Sequence, residues 1–455
     1  MKQKKNVNEI GLNECGKQMY ELIEELFPIC RSITGNGVRK SLKIIKKHIP
    51  IEINEVRSGT KVFDWTIPKE WNIKDAYVKN SKGRKIIDFK KSNLHILNYS
   101  IPIKKRVSLE ELKKHLFTIP EHPKWIPYRT SYYKENWGFC ITHEQFEKLT
   151  NDEYEIVISS SLKKGHLTYG EYFIKGESEK EILLSCYICH PSMCNDNLSG
   201  VSLLTFLAKY ISKKKLKYSY RFLFIPETIG AIAWLFQNER NVNKIDCGLV
   251  ATCLGDSGNI TYKKTRNGNS LIDKIVEKIL KESGNKYNII DFFPSGSDER
   301  QFSSPGFNLQ IGSITRTLYG EFSEYHTSAD NLNFVKPTYL QDTFEKYVKV
   351  ILELEKSFQN RSRIKKIREK RNQRKKLVYT NLFPKGEPNL GKRGLYNQIG
   401  AKKDGLEDKM PIFWILNLSD GQNSLYDIAK RSKISLSVLK KNAQMLVETG
   451  LIKPN

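Results

Sequence analysis

The densest group of reactive side chains is Cys186-Tyr187-Ile188-Cys189-His190-Pro191-Ser192-Met193-Cys194-Asn195-Asp196-Asn197-Leu198-Ser199-Gly200. It follows an apolar run and precedes a helical one, so it reads as a loop at the end of a strand. An imidazole and a carboxylate projected from one such loop are good ligands for zinc. Asp196 alone would equally suit a helix N-cap. Three further segments carry similar groups. Pro226-Glu227-Thr228-Ile229-Gly230 leaves a strand and opens a helix, and Gly296-Ser297-Asp298-Glu299 precedes another strand. Glu324-Tyr325-His326-Thr327-Ser328-Ala329-Asp330 sets a second histidine in a polar loop. Two histidines in strand-end loops, each with carboxylates nearby, could gather around a metal. Glu227 could also be no more than a helix-terminal carboxylate answering the macrodipole.

The cysteines offer other chemistry. Cys186-x-x-Cys189-His190 matches the covalent haem-attachment pattern, but that chemistry belongs to exported proteins and no export signal is present. Cys186, Cys189 and Cys194 could hold a structural zinc, although the first two lie on a strand where side chains alternate or are buried. Eight cysteines in a cytoplasmic chain read as free thiols.

Loops like these need a sheet to hold them. Runs Ile182–Cys189 and Tyr220–Ile225 are largely apolar, as strands buried on both faces must be, and Cys247–Leu254 and Asn308–Ile314 are further strand candidates. Helices are expected over residues 15–30, 38–48, 201–211, 271–283 and 338–358. Alternating strands and helices predict an α/β fold: a mixed, largely parallel sheet with helices on both faces. Residues 55–147 differ, with short β-rich runs and dense aromatics such as Trp65, Trp71, Trp125 and Trp137. They read as an inserted β-rich domain dividing a catalytic domain of residues 1–54 and 148–358. Residues 359–379 form a basic linker; ten of the sixteen residues from Arg361 to Lys376 are basic. Residues 380–455 carry two serine-capped helices, Ser424–Ser432 and Ser435–Thr449, with Gly450 as a stop, which spells a winged helix-turn-helix.

The 455 residues carry a net charge of +26 with 39% hydrophobic residues, enough for several packed domains. Lysine-, isoleucine- and asparagine-rich composition is what an AT-biased genome produces, and much of the excess charge is local to Arg361–Lys376. Its functional reading is attraction to nucleic acid, an acidic substrate or an anionic membrane surface. No apolar run spans a bilayer and no signal peptide is recognisable, so a cytoplasmic protein is expected.

In order, His190, Asn195-Asp196-Asn197-Leu198-Ser199-Gly200, Glu227-Thr228-Ile229-Gly230, Ser297-Asp298-Glu299 before Phe302, and His326-Thr327-Ser328-Ala329-Asp330 resemble the landmarks of zinc aminopeptidases with co-catalytic metals. The chain is most similar to the aminopeptidase-like proteins of bacterial polysaccharide-biosynthesis loci. Their inserted β-rich domain and C-terminal winged helix match its layout, and Arg31-Ser32-Ile33-Thr34-Gly35 and Trp137-Gly138-Phe139-Cys140 fit that subgroup. The resemblance implies a metal-dependent amide or peptide hydrolase with zinc as cofactor and Glu227 as general base. It departs from the two-metal pattern where carboxylates are expected: Thr228 and Thr252 stand there, and Ser192 replaces the aspartate that would orient the first histidine. One zinc per chain, held by His190, Asp196 and His326 with water as the fourth ligand, is therefore expected. Asp298 and, reaching from the insertion, Arg129 are candidate substrate contacts. Peptides, aminoacyl compounds and amino-sugars would all suit this chemistry, and self-association is left open.

Two rival readings remain. One is a nucleic-acid-binding regulator, whose second C-terminal helix would present Lys440, Lys441, Asn442 and Gln444 to DNA. The other is a non-catalytic binding protein that kept the pocket and lost the turnover.

Overall fold

A computed structural model describes residues 14–358, 377–395 and 407–455. Most of the expected basic linker, including Arg361–Lys376, lies outside the described residues.

Eight strands form the main sheet, in the spatial order Glu52–Arg57, His166–Ile174, Ser219–Ile225, Glu181–Tyr187, Ile245–Ala251, Ile311–Thr315, Ile260–Lys263 and Tyr287–Ile290. The middle four run parallel, so their C-terminal ends open on one edge. Flanking strands pair antiparallel with this block, which makes the sheet mixed, as expected. Ser219–Ile225 shows why the strands carry apolar residues on both faces. Tyr220, Phe222 and Phe224 pack into one core with helices Cys15–Leu26, Ser199–Ile211 and Pro337–Ser357. Leu223 and Ile225, on the opposite face, join a second core with helix Ile229–Gln237. A period of two with apolar residues at both phases is what helices on both faces demand.

The second core continues without a break into the insertion, through Trp71, Val78 and Ile156. A four-stranded antiparallel sheet organises it, ordered Lys85–Asp88, Glu70–Lys79, Glu153–Lys163 and Ile103–Ser108. This corrects the expected boundary at residue 147. Glu153–Lys163 pairs wholly with insertion strands, although it follows residue 148, where the catalytic domain was expected to resume. Its inner residues Tyr154, Ile156 and Ile158 alternate with less buried ones, a half-covered strand rather than one sandwiched by helices. At the other end, Glu52–Arg57 stays in the main sheet past residue 54.

The C-terminal unit packs helices Met410–Leu418, Leu425–Ser432 and Leu436–Glu448 against a small sheet of Val378–Asn381, Asp420–Ser424 and Ile452–Pro454. Ser424 and Ser435 cap their helices as their sequence positions imply, Ser424 within a capping box closed by Asp427. The unit is docked on the rest. A strap ahead of its first helix brings Glu387 to 2.6 Å from Arg300 and Arg393 to 2.6 Å from Asp64, while the Trp65 indole donates to the Glu387 carbonyl.

Candidate metal centre

The site stands at the C-terminal edge of the four parallel strands, where loops are exposed but their roots are fixed. Glu181–Tyr187 feeds the turn that carries His190 and Asp196 into helix Ser199–Ile211. Gly200 lets that helix start close against the next strand, since a Cβ there would lie 2.3 Å from the Ala251 carbonyl oxygen. Asn197 ties the same corner, donating to Ala251 and accepting from the Gly200 amide. Ser219–Ile225 leads to Glu227, and Ile245–Ala251 to Thr252. His326 arrives on a longer loop, and its backbone is left-handed at φ 56°. Such a conformation costs about 1–2 kcal/mol for a residue with a Cβ and persists only where its surroundings enforce it. The insertion supplies that enforcement: the Tyr128 amide donates to the His326 carbonyl at 2.8 Å, and Ile126 exchanges two hydrogen bonds with Ser328.

His190, Asp196 and His326 converge. Among the described residues they form the group of potential ligands whose donor atoms all lie within 4.8 Å of one another. Asp196 Oδ2 lies 3.0 Å from His326 Nε2 and 3.9 Å from His190 Nε2. Glu227 Oε2 is 3.8 Å from His190 Nε2 and remains 27% exposed, facing the open side. Two imidazole nitrogens and a carboxylate oxygen, buried and facing one centre, are a donor set that suits zinc.

The surroundings set the charge states. Burial pushes the His190 imidazole down to about 4 against the pull of Asp196, which keeps it neutral and able to ligate. Burial opposes ionisation of Asp196, yet the two imidazoles and the Tyr187 hydroxyl hold it at about 2. Burial raises Glu227 above the usual carboxylate range, and Asp298 and Asp196 raise it further.

Several supports acquire their roles only in the fold. Asp330 accepts the backbone amides of Cys194, Asn195 and Asp196 at 3.1, 2.6 and 2.9 Å, fixing the whole turn. Its place four residues after His326 was the available signal. Cys189 Sγ lies 3.4 Å from His190 Nδ1 and accepts the Glu227 amide, on the side where Ser192 cannot help because its hydroxyl is turned to the Phe27 carbonyl. The buried Arg31 guanidinium donates to the His190 carbonyl at 2.9 Å. The Tyr128 and Tyr325 rings flank His326, with centroids 5.3 and 3.9 Å away.

The two candidate substrate contacts are placed differently from expectation. Asp298 is buried and accepts the Thr228 amide at 2.7 Å, so it sits behind Glu227 and holds its neighbour. Arg129 donates back to the Tyr128 carbonyl and lies beside the Cys140 thiol; from that loop it is Tyr128 that reaches the histidines. The cysteines do not assemble either: Cys186 donates to the Leu223 carbonyl while Cys189 turns to His190. At the far end, Lys440, Lys441 and Gln444 are exposed on the last helix. No helix among the described residues is long and apolar enough to cross a membrane.

Comparison with known proteins gives the family and the fold. The family described as a domain of unknown function, DUF4910, matches residues 20–357, and a winged helix-turn-helix family matches residues 377–454. A Clostridium acetobutylicum protein provisionally named as a polysaccharide biosynthesis protein with an aminopeptidase-like domain is 58% identical over 441 residues, covering 97% of each chain. A crystal structure of a protein from the same organism, provisionally named as a peptidase, is 55% identical with a TM-score of 0.75 and covers 99% of both chains. A zinc aminopeptidase of Bacillus subtilis shares the fold, at 13% identity and a TM-score of 0.56 over 78% of this chain and 97% of its own. The chain thus belongs to the DUF4910 family of aminopeptidase-like proteins, carrying a winged helix-turn-helix at its C-terminal end.

Proposed function

We propose that the chain is a metal-dependent amide hydrolase using one zinc ion, held by His190, Asp196 and His326. The observation that carries this reading is the convergence of these three donors, with Glu227 3.8 Å from His190 on the open side. When bound, zinc lowers the pKa of a coordinated water and polarises a carbonyl. Glu227 is the general base. Its raised proton affinity suits it to take a proton from water and pass it to the leaving nitrogen. Asp298 fixes the backbone next to that glutamate through the Thr228 amide. Cys189 stands where it orients His190 by accepting from Nδ1–H, which leaves Nε2 free to ligate.

A single ion is favoured because the positions that would complete a second site are hydroxyls. Thr228 and Thr252 replace carboxylates, and Thr252 shares a 2.7 Å hydrogen bond with Tyr187. The name of the Clostridium relative supports a role in polysaccharide assembly, with an amino-sugar, aminoacyl or peptide amide as substrate. Metal analysis of protein purified without added metal tests the reading. The native chain should hold about one equivalent, and His190→Ala and His326→Ala close to none. Two equivalents, or full retention in both variants, would overturn it.

A further inference from the structure

Helices Cys15–Leu26 and Asn36–Lys46 are joined by the polar loop Arg31-Ser32-Ile33-Thr34-Gly35, whose hydroxyls take no part in the chemistry above. The loop forms one wall of a cleft of about 650 Å³. Insertion segments 71–74 and 89–94 form the facing wall, and the cleft reaches Ser192 and Ser328, two residues beyond His190 and His326. Neither histidine lines it, nor does Glu227, so it lies beside the metal centre. Its volume is within the roughly 300–1,000 Å³ of small-molecule sites, and it sits between two domains, where such sites concentrate.

Its charge is one-sided. Lys40, Lys74, Lys90 and Lys91 line it, and no carboxylate does. In a lysine-rich chain that number alone decides little; pairing decides more. Elsewhere Lys47, Lys69 and Lys85 reach Glu25, Glu135 and Asp88 at 3.1, 2.7 and 3.4 Å. Around the cleft Lys90 lies 3.7 Å from Asp75 and Lys91 is near enough to help hold the Asp88 carboxyl down, while Lys40, Lys74 and Lys91 form no ion pair among the described residues. Helix Asn36–Lys46 adds partial positive charge: Asn36 and Gly37 in its first turn line the cleft, and that turn contains no acidic residue of its own. Unpaired ammonium groups around a concave space draw in an anion. The rest of the lining names the ligand class. After their bonds within the protein, Ser192 keeps its acceptor lone pairs, Ser328 keeps its hydroxyl proton and the Asn72 amide keeps one N–H, and the half-buried rings of Phe27 and Phe89 offer apolar faces. Hydroxyl partners, ring faces and cations together match a sugar bearing negative charge.

We propose that this cleft binds an acidic saccharide, one carrying a phosphoryl or carboxyl group. The inference does not rest on hydrolysis at the metal centre. Calorimetric titration of the full chain with glucose 1-phosphate, glucuronate, UDP-glucuronate, glucose, UDP and inorganic phosphate tests it. At least one charged sugar should bind ten-fold or more tightly than glucose, UDP or phosphate; which one does so separates a free acidic sugar from a nucleotide-linked one. The double variant Lys74→Glu/Lys91→Glu should weaken that binding at least ten-fold, Lys213→Glu on a distant turn should not, and chelator-treated protein should retain it. Equal binding of phosphate or UDP, no response to any charged sugar at millimolar concentration, indifference to the double variant, or loss on chelation would each overturn the proposal.

Discussion

The hydroxyl of Tyr187 donates to Asp196 Oδ1, on the carboxylate oxygen opposite the one that faces His326. One oxygen is thereby engaged by protein and the other is left for the centre of the triad. Tyr187→Phe removes the donor without opening a large cavity. Partners of this kind are typically worth 10–100-fold in metal affinity. Zinc affinity, measured by competition with a chelator, should fall by about that range, with stoichiometry still at one.

Glu227→Gln keeps the shape of the side chain and removes its basicity. General base catalysis typically contributes about 10²–10⁴-fold. Turnover of a panel of aminoacyl anilides and N-acyl amino-sugars should drop accordingly, while zinc content is unchanged. Undiminished turnover by this variant would assign proton transfer elsewhere.

Lys263 and Glu299 form a buried pair at 2.7 Å, the lysine also donating to the Ser295 carbonyl and the Tyr319 hydroxyl. Lys263→Met leaves a carboxylate stranded in the core, which costs about 3–5 kcal/mol. Lys263→Met/Glu299→Leu removes both charges and should recover most of that loss in chemical denaturation. A double variant as unstable as the single one would contradict this account.

Arg39 bridges the catalytic domain to the insertion by two 2.7 Å hydrogen bonds to Glu70, and these bonds hold the Glu70 carboxyl down at about 2. A depressed carboxylate contributes stability that is present above its unfolded value near 4.5 and is lost as pH falls towards 2. Glu70→Gln should therefore lower unfolding free energy at neutral pH by at most about 3 kcal/mol. The gap between variant and native protein should close between pH 4.5 and 2. A gap that stays constant through that window would refute the linkage.

Residues with strong local signals were readable in advance. The apolar strands place His190 and Glu227 at loop roots, and serines such as Ser424 and Ser435 announce their helices. Features decided by contacts distant in sequence were not. Glu153–Lys163 has the alternation of any half-covered strand, and nothing local says which sheet it joins. Arg129 has the right chemistry in the right loop, yet its guanidinium donates to the neighbouring Tyr128 carbonyl, a contact that no local pattern announces. Tyr187 looks like an ordinary strand residue, and Cys189 and Arg31 stand out only for other motifs, until folding sets all three around His190.

Arg300 is held from two directions, by Glu387 of the C-terminal strap at 2.6 Å and by the hydroxyl of Thr228 at 3.1 Å. Thr228 adjoins Glu227, so the distance from strap to Glu227 is one arginine side chain. The strap and the loop carrying Glu227 are in consequence mechanically in series. Whatever force lifts the one is felt at the other, and trimming the C-terminal region would loosen the loop as well as remove a domain.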